Sequence, residues 1–133
     1  QVLAVDIRKL SLSFLWIRAF LSQKRNLHLI LSDEDNPRLP PGTVNAVLIA
    51  NTFHELRDPK VILDHVSRSL RAGGRLVIVD RSPPTNGSHV HEVERSSVEA
   101  ELREVGFEIV QSQDPFINRL GDDPWWLTVA RKP

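Results

Sequence analysis

Asp6 closes an apolar run, Val2-Leu-Ala-Val-Asp6. A carboxylate at the end of a strand can accept hydrogen bonds from both hydroxyls of a ribose. It can also turn the chain and cap the next helix. Asp33, Glu34 and Asp35 follow a second apolar run, either as a ligand-facing loop or as solvated charge. Asn51-Thr-Phe-His-Glu-Leu56 follows a third. Its imidazole, His54, is of the type that exchanges protons near neutral pH and serves as a general base. Glu55 can orient it or open the next turn, and His54 can equally pack at a helix start. His89-Val-His-Glu92 gathers two imidazoles and a carboxylate. Neither His54-Glu55 nor His91-Glu92 has the second His of a zinc helix, and no third ligand stands out, so no metal site is expected. Trp125 and Trp126 fall in one strand-like run and face opposite sides, one into the core, the other toward a pocket or interface.

Other chemistry is excluded by composition. Without Cys there is no disulfide, thiolate metal site or thiol nucleophile. Lys+Arg and Asp+Glu are both 17, which argues against a broad basic face for nucleic acid. Arg8, Lys9, Arg18, Lys24 and Arg25 nevertheless crowd the opening segment, against Asp6 alone. The 133 residues, 41% hydrophobic and 26% charged, suit one globular domain spanning 1–133. The stretch Leu10–Leu21 is broken by Ser11, Ser13 and Arg18 and is too short to span a membrane. The chain has no Met and opens directly on an apolar run, with nothing charged before it. It therefore reads as a processed or truncated product without a signal peptide, and a cytoplasmic location is expected.

The elements that must position these residues alternate. Six runs read as strands: Val2–Val5, Leu27–Leu31, Ala46–Ala50, Arg75–Val79, Phe107–Val110 and Trp126–Ala130. The second to fourth are almost continuously apolar, as strands covered on both faces are. Phe107–Val110 alternates, as an edge or antiparallel strand does. Helices are expected over Lys9–Leu21, Pro59–Leu70 and Val93–Val105. Asp58 is placed to cap the second and Pro59 to open it, while Gly73 and Gly74 offer a left-handed stop. Ser32–Thr43 and Ser82–Ser88 read as loops at the rim of the sheet. The alternation indicates an α/β fold with right-handed crossovers.

In this order the residues resemble the class I S-adenosylmethionine-dependent methyltransferases. Val2–Asp6 is similar to their second strand and its acidic end. Leu31-Ser-Asp-Glu34 and the run from Leu39 to Ala50 resemble their third strand, acidic loop and fourth strand. Asn51–Leu56 resembles the segment after strand four in small-molecule methyltransferases. Leu70–Asp80 looks like the helix end and fifth strand, with Ala72 where Pro is usual. Glu101–Val110 and Pro124–Lys132 resemble the sixth strand and the antiparallel last one. The resemblance implies a Rossmann-like methyltransferase fold, a mostly parallel sheet with an antiparallel last strand, and a small-molecule acceptor. It implies S-adenosylmethionine as cofactor, held by Asp6, Ile7, Asp33, Glu34 and Asn51, with Asp6 on the ribose and Asp33 on the adenine amino group. His54 is the candidate catalytic base, although methyl transfer often needs only proximity and in-line geometry.

The family's first strand, the helix before Val2 and its glycine-rich turn are missing from these residues. That turn lets backbone N–H groups approach the methionine carboxylate, so weak or absent activity is expected. The alternative is a non-enzymatic, self-associating or partner-binding module. Without the first strand, Val2–Val5 and Ala46–Ala50 must pair directly or recruit a second copy. Helix Lys9–Leu21 carries more apolar residues than one stripe holds. It is either deeply buried, an oligomer contact or, with Lys24 and Arg25, a membrane-surface element; a homodimer or higher even oligomer through this helix is expected, without membrane contact.

Overall fold

The computed structural model describes residues 1–82, 93–117 and 124–133. In chain order the elements are β1 (Val2–Asp6), α1 (Lys9–Leu21), β2 (Leu27–Leu31), β3 (Val44–Ala50), a short 3-10 turn (Phe53–Glu55), α2 (Pro59–Ser69), β4 (Leu70–Arg81), α3 (Arg95–Glu104), β5 (Glu108–Ile117) and β6 (Trp125–Arg131). The loop expected over Ser82–Ser88, beyond Ser82, and the His89-Val-His-Glu92 segment lie outside the described residues.

The strands form two sheets rather than the single one expected. β1 runs parallel to β2, from Val2 opposite Leu27 to Asp6 opposite Leu31. The second sheet has the order β3-β4-β6-β5. Within it β3 and β4 are parallel, and β6 is antiparallel to both β4 and β5. The antiparallel last strand is therefore as the sequence indicates. Direct pairing of Val2–Val5 with Ala46–Ala50 does not form, and β1 and β3 each have one strand neighbour among the described residues. The entrance to β3 is held elsewhere: Gly42 N–H donates to Arg68 O and Thr43 N–H to Ser69 O, both at 2.9 Å, so β3 is tied to the end of α2.

The core lies in the second sheet, where Leu63, Val66, Leu76, Ile78, Leu102 and Trp126 pack together, each at most 2% exposed. Helix α2 opens as its sequence indicates: the Asp58 carboxylate accepts from Val61 N–H at 3.3 Å and Pro59 occupies the first turn. Its end differs from expectation. Leu70 stops the helix with extended dihedrals (φ −69°, ψ 140°), and the left-handed glycine, Gly73 at φ +73°, falls inside β4. Lys132 explains how the helix can end there. Its ammonium donates to Ser67 O at 2.6 Å and Leu70 O at 2.8 Å, supplying donors to carbonyls at the helix end. Gly74 has no room for a side chain, since a Cβ would sit 2.8 Å from Arg71 O.

Helix α1 is not deeply buried. Leu12 alone is buried in it, while Phe14 is 67% exposed, Trp16 56% and Phe20 68%. The Trp16 and Phe20 rings stack at 5.5 Å on that open face.

Helix α3 is fastened to β5 and β6 through Glu99, 7% exposed. Its carboxylate accepts from Ser112, from Arg95 at 2.5 Å, from Arg103 at 3.3 Å and from Thr128 at 3.2 Å. Burial alone would raise its pKa, but the hydrogen bonds from Ser112, Arg95 and Thr128, with the Arg95 charge, outweigh it and hold the carboxyl below its ordinary value. A lowered folded-state value means stability that is complete above the ordinary value of 4.5 and lost as pH falls through the lower one. Glu99→Gln is expected to lower stability at neutral pH by about 1.5–3 kcal/mol, the range for hydrogen bonds to a charged group. Urea titrations from neutral to acid pH should show the deficit shrinking as pH drops. A deficit that is constant or grows would contradict the assignment.

Candidate active site

The candidate residues collect at the carboxyl ends of the strands. Asp6 ends β1, where its Oδ1 accepts from Arg8 N–H at 2.8 Å in a short side-chain turn. It does not cap α1, whose N-cap, Arg8, has no side-chain bond. Oδ2 of Asp6 takes no hydrogen bond among the described residues, and the side chain is 29% exposed. Ile7 beside it is 54% exposed. A carboxylate with one spare oxygen next to an open apolar side chain suits a ribose joined to a flat base.

Asp33 and Glu34 follow β2. Arg38 grips Asp33 as a fork, Nε to Oδ2 at 2.9 Å and Nη2 to Oδ1 at 3.0 Å. Glu34 pairs with Arg57 at 3.0 Å. Both pairs are exposed and add little stability. The second one joins the loop after β2 to the segment after the 3-10 turn, so these two loops lie within side-chain reach of each other. Strand order breaks between the sheets, the kind of place where open α/β folds take ligands.

Asn51 follows β3 in a left-handed conformation, φ +52°, with its N–H on Val79 O at 2.8 Å. Such a backbone is uncommon for a side-chain-bearing residue, though asparagine tolerates it best. Its Oδ1 accepts from Arg81 Nε at 3.0 Å.

His54 stands in the 3-10 turn with its side chain 5% exposed. Nδ1 lies 2.8 Å from Asp80 Oδ1, and the His54 backbone N–H donates to Asp80 Oδ2 at 3.2 Å. Asp80, fully buried near the end of β4, also accepts from Arg81 N–H at 2.8 Å. A carboxylate can only accept, so Nδ1 donates to Asp80, and in the neutral imidazole that tautomer puts the lone pair on Nε2. Glu55 Oε1 is 3.9 Å from Nε2. The residue that orients His54 through Nδ1 is therefore Asp80, which the sequence marks only as the end of a strand. Its signal was the one that marked Asp6, an acid closing an apolar run.

Trp126 is the core tryptophan, 0% exposed, with Nε1–H on Val93 O at 3.0 Å. Trp125 is half-buried on the opposite face, beneath Arg81.

A family profile described as a methyltransferase domain matches residues 1–78. In three dimensions the chain resembles a SAM-dependent methyltransferase from Aquifex aeolicus, 23% identical, with a TM-score of 0.82 over 100% of this chain and 69% of that one. It resembles SpnF, described as a cyclase, at 15% identity and TM-score 0.84, over 100% of this chain and 66% of that one. An S-adenosylmethionine-dependent methyltransferase from Mesorhizobium loti gives 16% identity and TM-score 0.78, over 98% and 79%. At these identities the likeness is one of fold, which confirms the Rossmann-like methyltransferase architecture. No curated protein matches the chain in sequence.

Proposed function

Since the chain belongs to the methyltransferase-domain family, we propose that it is built to bind S-adenosylmethionine across the carboxyl ends of β1, β2 and β3 and to methylate a small molecule. The observation that carries this reading is Asp6, at the end of β1 with one carboxylate oxygen uncommitted among the described residues. Asp6 would hold the ribose, Ile7 the face of the adenine, and the loop at Asp33 and Glu34 its edge, with Asn51 across the break in strand order. When bound, the cofactor supplies an electrophilic methyl group on a sulfonium. His54 would take the acceptor's proton at Nε2, and Asp80 would hold its ring in the required tautomer and stabilise the imidazolium that results. No G-x-G-x-G turn occurs in the 133 residues, so these residues are expected to bind the cofactor weakly and to turn over poorly.

Calorimetric titration with S-adenosylhomocysteine tests this. Affinity weaker than about 1 μM is expected, or less than roughly 8 kcal/mol of binding free energy. Asp6→Ala should remove about 1.5–3 kcal/mol of it. Submicromolar affinity would refute the weakened site. Unchanged affinity in a folded Asp6→Ala chain would take Asp6 out of it.

The open face of α1 favours a second role, self-association. Phe14, Trp16 and Phe20 together exceed the scattered exposure normal for a soluble surface. A zero net charge sets up no overall repulsion between copies. The reading is a homodimer, or higher even oligomer, with α1 against its symmetry mate. Light scattering at micromolar concentration should show it, and Trp16→Glu should dissociate it while circular dichroism stays unchanged. A monomeric wild type, or a folded Trp16→Glu oligomer, would refute it. No helix among the described residues is long and apolar enough to cross a membrane, and a cytoplasmic site of action is part of the proposal.

A further inference from the structure

Arg81 sits one residue beyond Asp80 at the carboxyl end of β4, and so faces the other side of the sheet from it. Its surroundings are unlike those of the arginines of α3 and β6. Arg95, Arg103 and Arg131 each meet a carboxylate. The Arg81 guanidinium meets none among the described residues. Its partners are neutral: Nε donates to Asn51 Oδ1 at 3.0 Å, and its guanidinium carbon lies 5.9 Å above the ring of Trp125, its cross-strand neighbour.

These two contacts hold a half-buried guanidinium in place without cancelling its charge. The Nε side is committed to Asn51 and one face is against the indole. The Nη1 and Nη2 edge donates no hydrogen bond to any described residue, and its parallel N–H pair matches a carboxylate in a two-pronged grip. Arg81 also shares the strand end with the Asp80–His54 pair.

We propose that Arg81 is the specificity residue for the acceptor, and that the acceptor is a small molecule bearing a carboxylate, seated on the Nη1/Nη2 edge with Trp125 and Asn51 holding the guanidinium. This deepens the methyltransferase reading and rests on it.

The test uses benzoate and its neutral analogue benzamide as probes, followed by NMR of the Arg81 Nε–H and Trp125 indole N–H signals in the full chain. Benzoate should move both signals and bind at least about tenfold tighter than benzamide, a difference of roughly 1.4 kcal/mol. Arg81→Gln should abolish the preference and Arg81→Lys should retain part of it, with circular dichroism confirming both folds. Equal binding of the two probes, no response to benzoate, or a preference that survives in Arg81→Gln would overturn the proposal. S-adenosylhomocysteine is titrated in parallel. If it binds while benzoate shows no Arg81-dependent preference, the acceptor assignment fails and the cofactor reading stands. If benzoate behaves as expected and S-adenosylhomocysteine does not bind, the cofactor reading fails instead.

Discussion

Asp80→Ala should destabilise the chain by roughly 2–5 kcal/mol. Asp80 is fully buried and accepts three hydrogen bonds, two from His54 and one from the backbone of Arg81. Alanine removes all three acceptors at once. Each buried donor that loses its partner costs about 1–3 kcal/mol, and breaking a buried pair by deleting one member costs about 3–5 kcal/mol. Asp80→Asn should cost less, since its amide oxygen can still serve Nδ1 of His54 and the Arg81 N–H. Its NH2 would then face the His54 N–H, donor against donor. Urea unfolding reads both, with the slope checked for constancy. Asp80→Ala within about 0.5 kcal/mol of wild type would mean that the pair does not hold the site together.

Trp126→Ala is expected to cost about 3–5 kcal/mol, the range for deleting a large aromatic side chain from a core. The indole is 0% exposed and stands opposite Asp80 in the β4–β6 ladder, so it supports the same face of the sheet. Its N–H also reaches Val93 O just before α3, 33 residues away in sequence. Trp126→Phe keeps most of the packing and loses that bond, for about 1–3 kcal/mol. Hydrogen exchange on α3 separates the two losses. Amides of Val98 and Leu102 should lose protection in Trp126→Ala more than in Trp126→Phe. Equal protection in both would show that the tryptophan does not seat α3.

Much of this fold is legible in the sequence because its strands are apolar runs bounded by turn residues. Leu27–Leu31 and Lys9–Leu21 have the bounds their sequence indicates. β5 extends well past Val110, to Ile117, through Gln111, Ser112, Gln113 and Asp114. That polar stretch carries no strand pattern because it lies at an exposed edge, paired only to β6. The left-handed glycine read as a helix stop belongs to β4, because Lys132, distant in sequence, serves the helix end instead.

At the site the same distinction holds. Asp6, Asn51 and His54 follow apolar runs and can be found by position. The partnership of His54 with Asp80 spans 26 residues, and that of Asn51 with Arg81 spans 30. Neither leaves a local signal. The openness of α1 is likewise a property of its neighbours, which its own composition cannot report.

If the carboxyl ends of β1 and β3 form one cofactor site, a single ligand must be felt at both. The most direct measurement is the map of backbone amide shifts on titration with S-adenosylhomocysteine. Asp6, Ile7 and Asn51 should shift together along one binding curve, with the loop at Asp33 and Glu34, and Asp6→Ala should weaken that curve. Shifts confined to α1 or α3, or no shifts at millimolar ligand, would contradict it.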